Sequence, residues 1–264
     1  MVQITYRKKM LSIAQIWFAD EEASEAEGKA DICFWHGMPE ISKERNSLST
    51  EFHTLLSDLR QEEETLLSLI NKNVRYEIRR NCKEGVACSV FSPKELKQEE
   101  AVIRQFAETY ETMYREKGRK VAFNGAQFKA YLEEEAIWLT AAYQDREPLV
   151  FHSYIVGDKQ VRLLHSASDF RSSSVDANLV ARANKRLHWE DMLLFRKKGI
   201  EIYDWGGVSS LENPNGIDAF KCKFGGSPIT YYNVYTGKTL PGKLVVSAMK
   251  IKNGRKTDAG RDAK

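Results

Sequence analysis

The stretch from residue 175 to residue 207 constrains the fold most. An amphipathic run over 175–198 stops at Gly199, an apolar strand follows over 200–205, and the chain then meets the pair Gly206-Gly207. Helix, strand and glycine loop in that order make half of an α/β domain. The segments before it agree. A helix over 127–135 leads into three strands, 137–144, 149–156 and 161–167, and the Gly157-Asp158 turn makes the last two a hairpin.

Upstream, a strand over 52–58 runs into one long helix with Leu66, Leu67, Ile70, Val74 and Ile78 at spacings of three and four, closed by Gly85. A strand over 86–91 follows. Ser92-Pro93 then opens a helix reaching Gly118, with Phe106, Tyr110, Met113 and Tyr114 as its apolar stripe. The first fifty residues read as strands at 2–6 and 31–35 joined by an acidic, Ala-rich loop over 20–29. After Gly207 come a short helix over 217–224 and a strand over 230–235. The domain reading is therefore one α/β domain over 50–240, with 1–49 belonging to it, and a basic C-terminal tail over 241–264 whose end is disordered.

Composition narrows the function. With 264 residues, 42% hydrophobic and 29% charged, the chain can bury a sizeable core, which excludes a disordered polymer. A formal charge of +3 means that any anion-binding surface must come from local clustering. Cys33, Cys82, Cys88 and Cys222 form no CxxC pair and have no histidines at ligand spacing, so reduced thiols and no metal site are expected. Lys8-Lys9 ahead of the apolar stretch 10–19 imitates a signal peptide weakly. Polar Ser12 and Gln15 and the acidic run beyond argue against one. No segment is apolar over the ~18 residues that a membrane span needs, so a cytoplasmic protein with no integral membrane segment is expected.

Two glycine loops suggest a site. Tyr203-Asp204-Trp205-Gly206-Gly207 ends a strand, and Phe220-Lys221-Cys222-Lys223-Phe224-Gly225-Gly226 repeats the device after a helical turn. Paired glycines let a backbone approach a ligand closely, although each pair is also readable as a plain turn. Asp204 is placed to orient an amine or take its proton, and is equally placed to cap the turn. His165 in an apolar strand and His188 in an amphipathic helix read as core or interface histidines. Lys72, Arg75, Arg79 and Lys83 share one helical face that could grip phosphate, or form a solvated face partly neutralised by Glu77.

These segments, with Leu187-His188-Trp189, Lys198-Gly199 and the upstream Arg75-Tyr76-Glu77-Ile78-Arg79-Arg80, resemble the Fem-type aminoacyltransferases and related GNAT-like proteins over residues 50–235. The resemblance implies an α/β, GNAT-like fold, a mixed twisted sheet flanked by helices. It also implies an acyltransferase in which an amine attacks an activated acyl group. By resemblance Lys221 stabilises the oxyanion or leaving group, Phe220 lines the acyl pocket, and Trp205, Gly206, Gly207, Phe224 and Gly225 join Lys72, Arg75 and Arg79 in binding substrate. The bland alternative for Lys221 is a solvated lysine on a short helix.

No tightly bound cofactor is implied; aminoacyl-tRNA or acyl-CoA enters as co-substrate, and a nucleotide-linked or peptide amine as acceptor. CoA-dependent GNAT enzymes carry a glycine turn for the pyrophosphate, where this chain has Arg171-Ser172-Ser173-Ser174-Val175-Asp176. That departure weakens the CoA reading, although serine amides can still bind phosphate. The chain is also shorter than two-domain Fem enzymes, so a second domain or coiled-coil arm is expected to be missing. Three classes stay in view: an aminoacyl transferase to a peptidoglycan precursor, peptide or amino sugar; a CoA-dependent N-acyltransferase; and a non-catalytic nucleic-acid-binding protein.

Overall fold

A computed structural model describes residues 1–19, 30–168 and 176–261. The chain forms two compact units, one of Met1–His53 with Thr230–Lys264, the other of Thr54–Ile229. Two long strands, β4 (Ser47–Asp58) and β10 (Ser227–Gly237), each contribute to both.

In the first unit, β1 (Val2–Lys8) and β2 (Leu11–Trp17) form an antiparallel hairpin, β3 (Ile32–Met38) lies parallel to β2, and β10 returns antiparallel to β3. The stretch that imitates a signal peptide is thus the strand β2. Ala14, Ile16, Cys33, Trp35 and Val234 gather into a small core. Residues read as a basic tail form a helix, α8 (Leu240–Arg261), which packs on β3. The Thr239 hydroxyl accepts from the Gly242 amide at 3.4 Å and Val246 is buried, so a local cap and one packed face outweigh a tail-like composition.

In the second unit the strand order is β4, β9 (Ile202–Asp204), β8 (Gln160–Ser168), β7 (Glu147–Val156), β6 (Ile137–Gln144) and β5 (Ala87–Phe91). The β8–β9 pair is parallel and the β4–β9, β5–β6, β6–β7 and β7–β8 pairs are antiparallel, which makes a mixed sheet. Helix α6 (Ala177–Lys197) covers one face, where His152 and Tyr154 of β7 meet Asp191. Helix α4 (Glu100–Glu116) covers the other, where Phe106 meets Phe151. The fold class is the expected one, α/β with a mixed sheet flanked by helices.

Two expected helices are each split. The first becomes α1 (Glu63–Leu69) and α2 (Lys72–Asn81), because Ile70 is extended and Asn71 caps α2 by accepting from the Asn73 amide at 3.0 Å. The Asn71 amide donates to Lys223 O at 2.8 Å, so the break is held from outside. The second becomes α3 (Pro93–Leu96), opened by a Ser92–Glu95 capping box, and α4. Helix α5 (Gly125–Glu133) precedes β6, and α7 (Gly216–Cys222) follows the glycine loop after β9.

Gly206 is required by packing as well as by conformation. Its φ is +68°, and a Cβ there would lie 2.5 Å from the Leu163 carbonyl oxygen. Gly199, at φ +80°, faces open space. Gly206→Ala should therefore cost roughly 2–4 kcal/mol and Gly199→Ala only about 1 kcal/mol, measured by denaturant unfolding. Equal losses would show that the Leu163 approach carries no weight.

Candidate active site

The site is built on Asp204, whose side chain is fully buried at the end of β9. Its Oδ2 accepts from Arg162 Nε at 2.7 Å, and its Oδ1 accepts from Thr54 Oγ1 at 2.6 Å and from the Gly206 amide at 2.8 Å. The carboxylate thus pairs with a buried cation while it caps the glycine turn. Every one of these contacts is structural, and together they fix where the Gly207 carbonyl points.

That carbonyl accepts from Lys221 Nζ at 2.7 Å. Lys221 is only 9% exposed. Burial lowers its pKa below the ordinary lysine range, while Asp204 and Asp218 pull the other way. The sequence alternative of a solvated lysine does not describe this side chain. Its helix is held in place by Asp218, whose carboxylate accepts from the Ser209 hydroxyl, the Ser209 amide and the Asn215 amide, while Asn215 caps the helix in return. Burial opposes the Asp218 charge, but these donors outweigh it and keep the carboxyl below its usual range.

A cleft of about 490 Å³ opens between α4, α6 and α7, with Met113, Asn184, Lys185, Ile217 and Phe220, the residue before Lys221 in α7, on its walls. Phe220 is therefore on the cleft. Behind it lies a buried polar relay that sequence reasoning missed. Tyr154 donates to Asp191 Oδ2 at 2.6 Å, Tyr203 and Tyr154 hydroxyls are 2.8 Å apart, and His188 Nδ1 is 3.2 Å from Tyr203. One proton per hydroxyl sets the direction. Because Tyr154 gives its proton to the carboxylate, Tyr203 gives its own to Tyr154, and His188 Nδ1 must be the donor to Tyr203. His188 Nε2 is left as an acceptor, and the His188 ring centroid lies 5.5 and 5.6 Å from those of Phe220 and Phe224. Burial first, then His152 and Lys221, hold the His188 pKa well below its usual value, so the ring is neutral.

His152 completes the relay. Its Nδ1 is 2.7 Å from Asp191 Oδ2 and its Nε2 is 2.8 Å from Oδ1 of Asn184, a residue of the cleft wall. Among the described residues His152, His188 and Asp191 form the candidate metal cluster, with ligand atoms within 4.8 Å of one another. Both His152 nitrogens, His188 Nδ1 and Asp191 Oδ2 are already engaged as above.

The remaining expected site residues fall elsewhere. Trp205 is fully buried and donates through Nε1 to Ser57 Oγ at 3.0 Å, and Phe224 is buried against it, so both are core. Gly225 lies against Leu69, where a Cβ would come within 3.1 Å of the leucine Cβ. Arg75 and Arg79 line a different groove, of about 400 Å³, with Leu67, Ile78, Trp189 and Glu190. Arg75 Nη1 donates to the Leu67 and Ser68 carbonyls at 3.3 and 3.2 Å, which closes the end of α1. Lys72 is exposed at the start of α2, Lys83 lies beyond its end, and Glu77 pairs with Lys185 at 3.1 Å. Arg171, Ser172, Ser173 and Ser174, expected to bind donor phosphate, lie outside the described residues. Burial raises the Cys88 thiol to about 12, which removes it as a nucleophile at neutral pH.

His165 sits on the opposite face, packed edge-on to Tyr110 at 4.9 Å, and burial lowers its pKa to about 4. The unfolded chain binds this proton below pH ~6.5 while the folded one does not, so the neutral ring destabilises nothing above that pH and stability falls between pH 6.5 and 4. The loss attributable to His165 should reach about 3 kcal/mol, and His165→Leu should flatten that part of the unfolding profile. A parallel profile in the variant would show that His165 titrates normally.

No family model matches this sequence, and neither does any curated protein. Solved structures do share its fold. The C-terminal domain (DUF2156) of a proposed lysylphosphatidylglycerol synthetase from Agrobacterium fabrum aligns with a TM-score of 0.58 at 14% identity, over 94% of this chain and 84% of that one. The L-PGS structure from Bacillus licheniformis gives 0.53 at 12% identity, over 93% and 84%. FemX gives 0.56 at 13% identity, over 88% and 83%. The chain therefore has the fold of FemX and of the L-PGS domains, the architecture that its glycine loops and Phe220-Lys221 segment imply.

Proposed function

We propose that the chain is a cytoplasmic acyltransferase that moves an aminoacyl group from transfer RNA to an amine on a peptidoglycan precursor, a peptide or an amino sugar. The observation that carries this reading is the buried Lys221 ammonium, held against the Gly207 carbonyl at 2.7 Å, next in the chain to Phe220, which lines a cleft of about 490 Å³. The fold shared with FemX and the L-PGS structures supports it.

The chemistry follows from charge. An amine attacking an ester carbonyl forms a C–N bond and places negative charge on the carbonyl oxygen; collapse breaks the C–O bond and returns a proton to the leaving ribose hydroxyl. A fixed cation in a desolvated site stabilises that charge without reorganisation at the moment of reaction. Lys221 has three N–H donors and gives one to Gly207, which leaves two for a substrate oxygen. Phe220 supplies apolar surface to the acyl side chain. His188, neutral and buried behind Phe220, backs the apolar wall that the acyl side chain would meet. The Arg79 groove offers a second contact, one suited to phosphate on the acceptor or donor.

The test is transfer of labelled amino acids from charged tRNA, run beside acyl-CoA consumption. Lys221→Ala should lower kcat by about 10²-fold or more with unchanged melting, while Lys223→Ala, at an exposed position, stays near the parent rate. Acyl-CoA consumption without tRNA-dependent transfer would replace the donor; equal small losses for both lysines would remove Lys221 from the mechanism. Arg79→Gln should raise KM and reduce its salt dependence with kcat unchanged, because such a contact binds ground and transition states alike. Salt-insensitive kinetics in the parent enzyme would rule that contact out.

A further inference from the structure

Helix α8 has two apolar sides, and only one is used. Gly242 and Val246 are buried and Met249 is half-buried on the side that packs on the sheet; a Cβ on Gly242 would come within 1.9 Å of the Asp31 carbonyl oxygen. At 100° per residue, Leu240, Leu244 and Ile251 fall within about 40° of one another on the opposite side. They are 78%, 72% and 60% exposed. Large apolar side chains at such exposure, aligned along three turns, form a ridge that water solvates poorly.

Charge identifies what the ridge fits. Residues 240–257 carry Lys243, Lys250, Lys252, Arg255 and Lys256 and no Asp or Glu. Lys243 falls on one flank of the ridge and Lys252 on the other, each about 60–120° from its centre. Lys250 is on the first flank, but its Nζ donates to the Arg45 carbonyl at 2.7 Å. An apolar ridge flanked by lysines, here half-buried Lys243 and exposed Lys252, is the pattern of a helix lying in the plane of a bilayer, its stems in the acyl boundary and its ammonium groups at anionic headgroups. The helix is not apolar enough to cross a membrane.

A second element extends the surface. Asp31 ties the start of β2 to the start of α8: its carboxylate accepts from the Ser12 amide at 2.8 Å and from the Thr239 hydroxyl at 2.5 Å. The tip of the β1–β2 hairpin, two residues before Ser12, therefore stands at the same end as Leu240. That tip is Lys8-Lys9-Met10, with both lysines exposed and Met10 at 90% exposure. It repeats the composition of the helix, a large apolar side chain beside cations.

We infer that the outer face of α8, with the Lys8-Lys9-Met10 tip, is a docking surface for an anionic lipid bilayer. The inference does not depend on the enzymatic reading, because it concerns residues that line neither cleft. The test is flotation of the full chain with vesicles of mixed phosphatidylglycerol and phosphatidylcholine, and with phosphatidylcholine alone. Binding should require the anionic lipid, weaken as salt rises, and fall by about tenfold or more in Leu244→Glu with Ile251→Glu, with the circular dichroism and melting of the parent retained. Lys243→Gln with Lys252→Gln should weaken binding and reduce its salt dependence. Three results would overturn the proposal: no binding of the parent chain to anionic vesicles, equal binding of the glutamate variant, or a dimer of the parent that the glutamate pair dissociates, which would assign the face to a second copy.

Discussion

The buried Asp204 carboxylate is the interaction on which the second unit depends. It joins Thr54 of β4, Arg162 of β8 and the Gly206 amide, so one side chain ties β9 to the strands on both sides and sets the turn that follows. A buried ion pair is a weak source of net stability, because desolvation offsets most of its attraction. Its value here is geometric. Removing one partner would leave the other charged and dry, so the turn has one arrangement, and the Gly207 carbonyl that receives Lys221 is positioned by the same constraint.

Much of this architecture was legible because it is written in short-range pattern. The Gly157-Asp158 turn fixed the β7–β8 hairpin, and Gly199 marked the end of α6. The split of α1 from α2 was hidden, since Leu66, Ile70, Val74 and Ile78 keep a spacing of four across it and all four are buried. Asn71 was the readable sign, a cap residue inside an apolar repeat. Helix α8 was misread as a tail because its lysines dominated, although Thr239, Pro241 and Val246 supply an opening and a buried face.

The candidate site was legible in part for a different reason. Phe220, Lys221 and the glycine pairs lie close in sequence, so a motif can carry them. His152, Tyr154, Asp191, His188 and Tyr203 come from β7, α6 and β9, and each stands among apolar neighbours that explain its burial but not its partners. The strand pairings together with the packing of α6 on the sheet bring them together. Asp204 shows the converse: of its two readings, proton acceptor and turn cap, the contacts made are those of a cap paired with Arg162.

The tie between Asn71 and Lys223 runs from one backbone to another, amide to carbonyl at 2.8 Å. Such a link is indifferent to side-chain identity and strict about chain length. Position 223 can drift freely and position 71 can change among residues that cap α2, whereas one residue added to or removed from α7 would turn Lys221 by about 100° around the helix axis, away from Gly207. Gly225 and Gly226, pressed against Leu69 and Leu56, close the same frame on the far side of the helix. Related sequences that keep the Lys221–Gly207 contact should therefore vary in letters through this segment and hold its spacing constant.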